Sequence, residues 1–184
     1  MDGHASYMAN KASVHDYASR RAALSKGQWP FAAILSCADS RVTPELIFDQ
    51  GPGDLFIVRV AGNVENPDGL ASLEYGAKFL GIPLIMVLGH SSCGAVDAAV
   101  KVYRDKAQLP GHLPGLADAI VPAVQKAAAA NPSDLLAASI TENVRQTMAD
   151  IANNQPILGP MVQHGDVKVV GAVFDVPTGK VALL

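Results

Sequence analysis

Four short apolar runs punctuate the chain: Phe31–Ser36, Leu55–Val60, Leu84–Leu88 and Val167–Phe174. Each has strand length and is apolar at consecutive positions, the pattern of strands buried on both faces. After the fourth run, Pro177-Thr178-Gly179 reads as a turn, and Val181–Leu184 returns as a short edge strand. Between the runs the apolar period becomes helical. Gly69–Leu80 places Leu70, Leu73, Ala77 and Leu80 on one side, and Cys93–Tyr103 does the same with Val96, Ala99, Val100 and Tyr103. Leu116–Ala130 is alanine-rich, and Ser133–Ile151 opens behind Asn131-Pro132-Ser133-Asp134, a helix start signal. Val14–Lys26 is a further helical stretch, stopped by Gly27. Strands alternating with helices predict an α/β fold: a single domain with a mainly parallel sheet of four strands, a short antiparallel edge strand and flanking helices. The segment LPGHLPG at 109–115 reads as a loop, and no linker composition divides the chain.

Composition narrows the function classes. The 184 residues suffice for one domain that buries a core without disulfide staples. A net charge of −3 gives no basic footprint and argues against nucleic acid as a partner. Only 17% of residues are charged, against roughly 25% in average proteins, which points to an oligomer. No apolar run reaches the ~18–20 residues needed to span a membrane. The polar N-terminus lacks the apolar core of a signal peptide. Two cysteines, Cys37 and Cys93, exclude a disulfide scaffold and leave a single bridge open.

The candidate chemistry lies in two segments. Cys37-Ala38-Asp39-Ser40-Arg41 directly follows the first strand, and His90-Ser91-Ser92-Cys93 directly follows the third. Open α/β sheets bind ligands at the carboxyl ends of their strands. Two thiolates and one imidazole form a donor set that favours zinc, and three protein ligands leave a fourth position open, as in catalytic sites. Cys93 sits where a helix begins, whose positive end favours a thiolate. The plainer alternatives are two buried structural cysteines or one disulfide. Asp39 and Arg41, at i and i+2, share one side of an extended segment. The arginine would hold the carboxylate ionised, to orient a proton beside a metal or to fill its fourth position. An ordinary surface ion pair is the alternative.

CADSRV followed by GHSSCGAV resembles the β-class carbonic anhydrases, in their plant-like, open-site subgroup. The resemblance runs from about Ala22 to the C-terminus and includes GQWP at 27–30, FDQGPGDLFIVRVAGN at 48–63, SLEYG at 72–76 and VVGAVFDVPTG at 169–179. It implies one Zn2+ per subunit held by Cys37, His90 and Cys93, with Asp39 and Arg41 as the catalytic dyad gating the fourth position. It further implies that Gln28 hydrogen-bonds substrate, that Phe56, Ala61 and Tyr75 form the apolar wall, and that Gly62 and Asn63 form the loop under the site. The implied reaction is reversible hydration of CO2 to bicarbonate and a proton by zinc-bound hydroxide. The implied assembly is a homodimer or dimer of dimers (a homotetramer), with the pocket at a subunit interface.

Two departures from the family pattern shape further expectations. Ile34 and Phe174 stand where some members carry the Trp and Tyr of a bicarbonate regulatory pocket, leaving Arg59 alone of that trio. No such regulatory site is expected, and Asp39 is expected to stay with Arg41. Residues 1–26 form a short N-terminal helical arm ahead of the zinc domain at 27–184. The arm is shorter than in relatives, which bears on the dimer. His4, His15, His112 and His164 are candidate proton shuttles but read as solvent-facing or capping residues. A COS or CS2 hydrolase on the same scaffold and a noncatalytic zinc-stabilised assembly protein are the competing readings. A nucleotide binder lacks a Walker loop or GxGxxG motif. Reduced thiols point to the cytoplasm, although bound zinc would protect them equally in a periplasm.

Overall fold

The consecutive apolar runs become a sheet covered on both faces. The computed structural model describes residues 1–184. Its strands are β1 (Ala32–Ser36), β2 (Leu55–Arg59), β3 (Leu84–His90), β4 (Lys168–Phe174) and β5 (Val181–Leu183), in the order β2-β1-β3-β4-β5. The first four are parallel, and β5 runs antiparallel to β4 at the edge. Every residue of β1 is buried, as its unbroken apolar run requires.

Side chains alternate across the sheet and so feed two layers. Ala33, Leu35, Val58, Ile85 and Val87 face one core together with Leu73 and Ala77 of α4 (Pro67–Leu80) and Val144 and Ile151 of α7 (Leu135–Asn153). Ile34, Leu88, Ala172 and Phe174 face another, closed by Val42, Ile47 and Phe48 around the short α3 (Pro44–Ile47). A third cluster joins Cys37 and Cys93 to α5 (Gly94–Asp105), α6 (Leu113–Ala129) and Ile140 of α7. No helix is long and apolar enough to cross a membrane.

Three helices carry too little periodicity to be read from sequence: α1 (Asp2–Met8), α3 and α8 (Leu158–His164). The segment 109–115 is not wholly a loop. Helix α6 begins at Leu113, with Pro114 in its first turn, where a missing N–H leaves no bond unmade. His4 is neither solvent-facing nor a cap. It is buried in α1, its Nδ1 donating to the Ile47 carbonyl at 3.1 Å and its Nε2 accepting from the Val181 amide at 3.2 Å. These bonds lay α1 across α3 and the edge strand of its own chain. The other N-terminal helix, α2 (Tyr17–Leu24), is tied to the entry of β2 by Arg20 Nη1 donating to Asp54 Oδ2 at 3.0 Å.

Helix α7 reaches the sheet through two glycines. A Cβ on Gly89 would lie 2.5 Å from Val144 Cγ2, and one on Gly171 would lie 2.3 Å from Met148 Sδ. Overpacking of this kind costs about 1–3 kcal/mol. Gly89→Ala should lower the unfolding free energy obtained from urea titration by that amount, and Val144→Ala added to it should recover part of the loss because the two side chains collide directly. A second expectation concerns pH. The Arg20 guanidinium holds the Asp54 carboxyl below its ordinary value. Its stabilisation is therefore present above the unfolded-state pKa of ~3.9 and is lost as pH falls through the lower folded-state value. Asp54→Asn should reduce the urea midpoint at pH 7, and its gap to the parent protein should narrow below about pH 4. A gap that stays constant would remove the ion pair as its cause.

Candidate metal centre

Parallel pairing of β1 and β3 sets the site. Ser36 lies opposite Leu88, so Cys37, one residue beyond β1, emerges at the same edge as His90, the last residue of β3. The chain then turns through Ser91 and Ser92, the latter at φ +56°, and delivers Cys93 to the N-cap of α5. The ligand atoms of Cys37, His90 and Cys93 all lie within 4.8 Å of one another, and all three residues are buried. Both cysteines are free thiols, so the disulfide alternative does not hold here.

The donors fit a divalent cation. His90 Nδ1 donates to the Ser91 carbonyl at 2.9 Å. That bond fixes the tautomer and leaves Nε2 as a bare lone pair, and Nε2 is buried with no partner. Cys37 is lowered well below the ordinary thiol range, chiefly by the adjacent Cys93 thiol, with the Gly62 amide adding to the effect. Cys93 is pushed up because the neighbouring Cys37 sulfur favours its protonated form and because it is buried. Burial works to lower His90, but the adjacent Cys37 thiolate outweighs it and raises the imidazole. Two buried sulfurs this close oppose each other's ionisation. A cation among them removes that conflict, and two sulfurs with one nitrogen are the donors zinc prefers.

Asp39 and Arg41 meet as a two-pronged pair. Arg41 Nε donates to Asp39 Oδ1 at 2.9 Å, and Nη2 donates to Oδ2 at 2.7 Å. The Arg41 amide adds a bond to Oδ1 at 2.9 Å, and Nη2 also reaches the Ser92 carbonyl at 3.2 Å. These hydrogen bonds hold the Asp39 carboxyl far below the usual carboxylate range. Oδ1 has both lone pairs engaged. Oδ2 retains one, and it lies 3.9 Å from His90 Nε2.

The loop residues Ala61, Gly62 and Asn63 form a 3-10 turn beside the sulfurs. The Gly62 amide donates to Cys37 Sγ at 3.2 Å. Gly62 has φ +70°, and a Cβ there would lie 2.8 Å from Ile120 Cδ1, so a larger residue would be strained. Gln28, Phe56 and Tyr75 are not brought to these ligands within one chain. Phe56 pairs with Ala33, four residues before Cys37, or about 13 Å along the strand. Its ring lies tilted against Tyr75 (centroids 6.5 Å), which in turn lies tilted against Phe79 at 5.6 Å. Gln28 is exposed. Of the remaining histidines, His112 and His164 are exposed, and His15 lies 3.6 Å from Asp49.

Two further residues shape the site. Arg59 donates to the carbonyls of Cys37 (3.1 Å), Asp39 (2.6 Å) and Val42 (2.8 Å), clamping the loop that carries ligand and dyad together. Asn143 of α7 donates to the Gly62 carbonyl at 2.7 Å. Arg59 was visible in sequence only as a remnant of the regulatory trio. Asn143 stands in no motif, and no sequence signal marks it.

Comparison with known proteins agrees with this geometry. A family model described as carbonic anhydrase matches residues 32–181. Carbonic anhydrase 2 of Mycobacterium tuberculosis is 37% identical over 163 residues, covering 89% of this chain and 78% of the relative. Among solved structures, the Coccomyxa β-carbonic anhydrase in complex with acetazolamide superposes with a TM-score of 0.81 at 28% identity, covering 91% of this chain and 78% of the other. A β-carbonic anhydrase of Sordaria macrospora, described as tetrameric, shares the fold at 24% identity with a TM-score of 0.79, covering 100% of this chain and 92% of the other.

Removing one donor from a buried three-donor set should abolish metal retention. Cys37→Ala and His90→Ala should each carry no divalent metal after gel filtration by elemental analysis, while the parent chain carries one per chain.

Proposed function

Because the chain belongs to the β-class carbonic anhydrases, we propose that it performs the reversible hydration of CO2 on a single zinc held by Cys37, His90 and Cys93. The observation that carries this reading is the orphaned, tautomer-fixed His90 Nε2 among two sulfurs, with the one free acceptor of the Asp39–Arg41 pair 3.9 Å away. Zinc, when bound, supplies Lewis acidity that lowers the pKa of a coordinated water toward ~7.

The chain's own residues supply direction. Asp39, kept ionised by Arg41, can only accept a hydrogen bond. Its Oδ1 is saturated, so the bond is accepted at Oδ2 and turns the attacking oxygen's remaining lone pair toward the substrate carbon. Arg41, anchored to the Ser92 carbonyl on the far loop, keeps that carboxylate from swinging into the metal's fourth position. Ile34 and Phe174 lie within one apolar cluster, and Arg59 is engaged with three carbonyls. These features support an open site without a bicarbonate regulatory pocket.

A nonpolar gas needs an apolar wall, and Phe56 with its neighbour Tyr75 stands apart from the donors of its own chain. Tyr75 and Phe79 are 48% and 72% exposed, and Trp29 and Phe31 are 68% and 53% exposed. Gln28, Phe56 and Tyr75 are read as lining the pocket of a second copy, in a homodimer or dimer of dimers. The tetrameric description of the Sordaria relative supports self-association.

Stopped-flow CO2 hydration on zinc-loaded protein tests the reading. Asp39→Ala should retain zinc yet lose most turnover, on the order of 10²-fold or more, since orienting groups of this kind contribute that much. Full activity in this variant would remove Asp39 from the mechanism. Turnover of CS2 but not CO2 would reassign the substrate.

A further inference from the structure

The sulfur of Cys37 is steadied by a peptide group. The Gly62 amide reaches it, and the carbonyl of the same residue is taken by Asn143 Nδ2. Only the two backbone torsions of Gly62, at φ +70° and ψ 13°, separate these hydrogen bonds. Glycine is the residue least able to hold such torsions by itself. Fixing its carbonyl therefore fixes where its N–H points.

Asn143 is 1% exposed on α7, and its Oδ1 is buried with no partner. An apolar residue would serve packing better at such a position, because a buried amide oxygen without a partner is unfavourable. Its donor group, by contrast, is committed to a carbonyl 81 residues away. We propose that Asn143 is a positioning residue for the metal centre, acting through the Gly62 peptide to hold an N–H···S bond on Cys37. The inference rests on Cys37 being a metal ligand.

An N–H···S bond lowers the energy of the sulfur lone pair, so its loss moves a thiolate-to-metal charge-transfer band to longer wavelength. In the Co(II)-substituted full chain, Asn143→Leu should shift that band to longer wavelength and weaken Co(II) binding by about 10–100-fold, as second-layer losses do. Val144→Ala removes packing from the adjacent position of α7 without touching the relay. It should lower the melting temperature and leave the band in place. In the 113Cd-substituted parent chain, the Gly62 amide proton should show scalar coupling to cadmium through the N–H···S bond, and Asn143→Leu should abolish it. If Asn143→Leu does not fold, Asn143→Ala, which removes the donor without adding bulk or an ionisable group, serves in both measurements.

An unmoved band in the Asn143 variant, or no coupling at Gly62 in the parent, would overturn the proposal while leaving the ligand assignment intact. A parent chain with no thiolate charge-transfer band would overturn the ligand assignment and the proposal together.

Discussion

The parallel pairing of β1 with β3 is the constraint on which the rest of the site depends. Its register puts Ser36 beside Leu88, so the chain leaves both strands at one level. A sulfur then follows one strand and an imidazole ends the other. The turn through Ser91 and Ser92 adds the second sulfur at a helix start. A one-residue slip would send each strand's side chains to the opposite face. The apolar runs forbid that slip, because Leu35, Ile85 and Val87 all belong to one core and Ile34 and Leu88 to the other.

The cost of assembling these donors is electrostatic. Two buried sulfurs and an imidazole compete for protons, and the fold surrounds them with groups that favour one charge arrangement. The Gly62 amide faces Cys37, Arg59 holds the loop behind it, and Arg41 keeps Asp39 anionic. Most of these restraints are backbone groups or arginine contacts to carbonyls. They act without adding competing acids or bases among the ligands.

Helix α7 links core and site. It packs on the sheet where Gly89 and Gly171 leave no room for a Cβ, and the same helix presents Asn143 to Gly62. Close approach of helix to sheet and control of the metal-site loop are thus the same packing event. The exposed aromatic surface around Tyr75 and Phe79 is the complementary feature. It leaves an apolar face that a single chain does not cover.

The sequence by itself determined the sheet, the clustering of Cys37, His90 and Cys93 and the pairing of Asp39 with Arg41, because those depend on local pattern. Consecutive apolar residues mark a doubly covered strand, and Cys37, Asp39, Arg41, His90 and Cys93 all sit within a few residues of a strand end. The short helices α1, α3 and α8 were not legible, since seven residues or fewer hold too little of a helical period. His4 was read as solvent-facing because its partners, Ile47 and Val181, are remote in sequence. Asn143 and the carbonyl clamp of Arg59 were invisible for the same reason. Backbone carbonyls have no letter in the sequence, and which side chain reaches them is decided only when distant segments pack. Tertiary structure alone also showed that Phe56 and Tyr75 stand apart from the ligands of their own chain. That separation follows from strand geometry, which places Phe56 opposite Ala33, toward the far end of the sheet from Cys37.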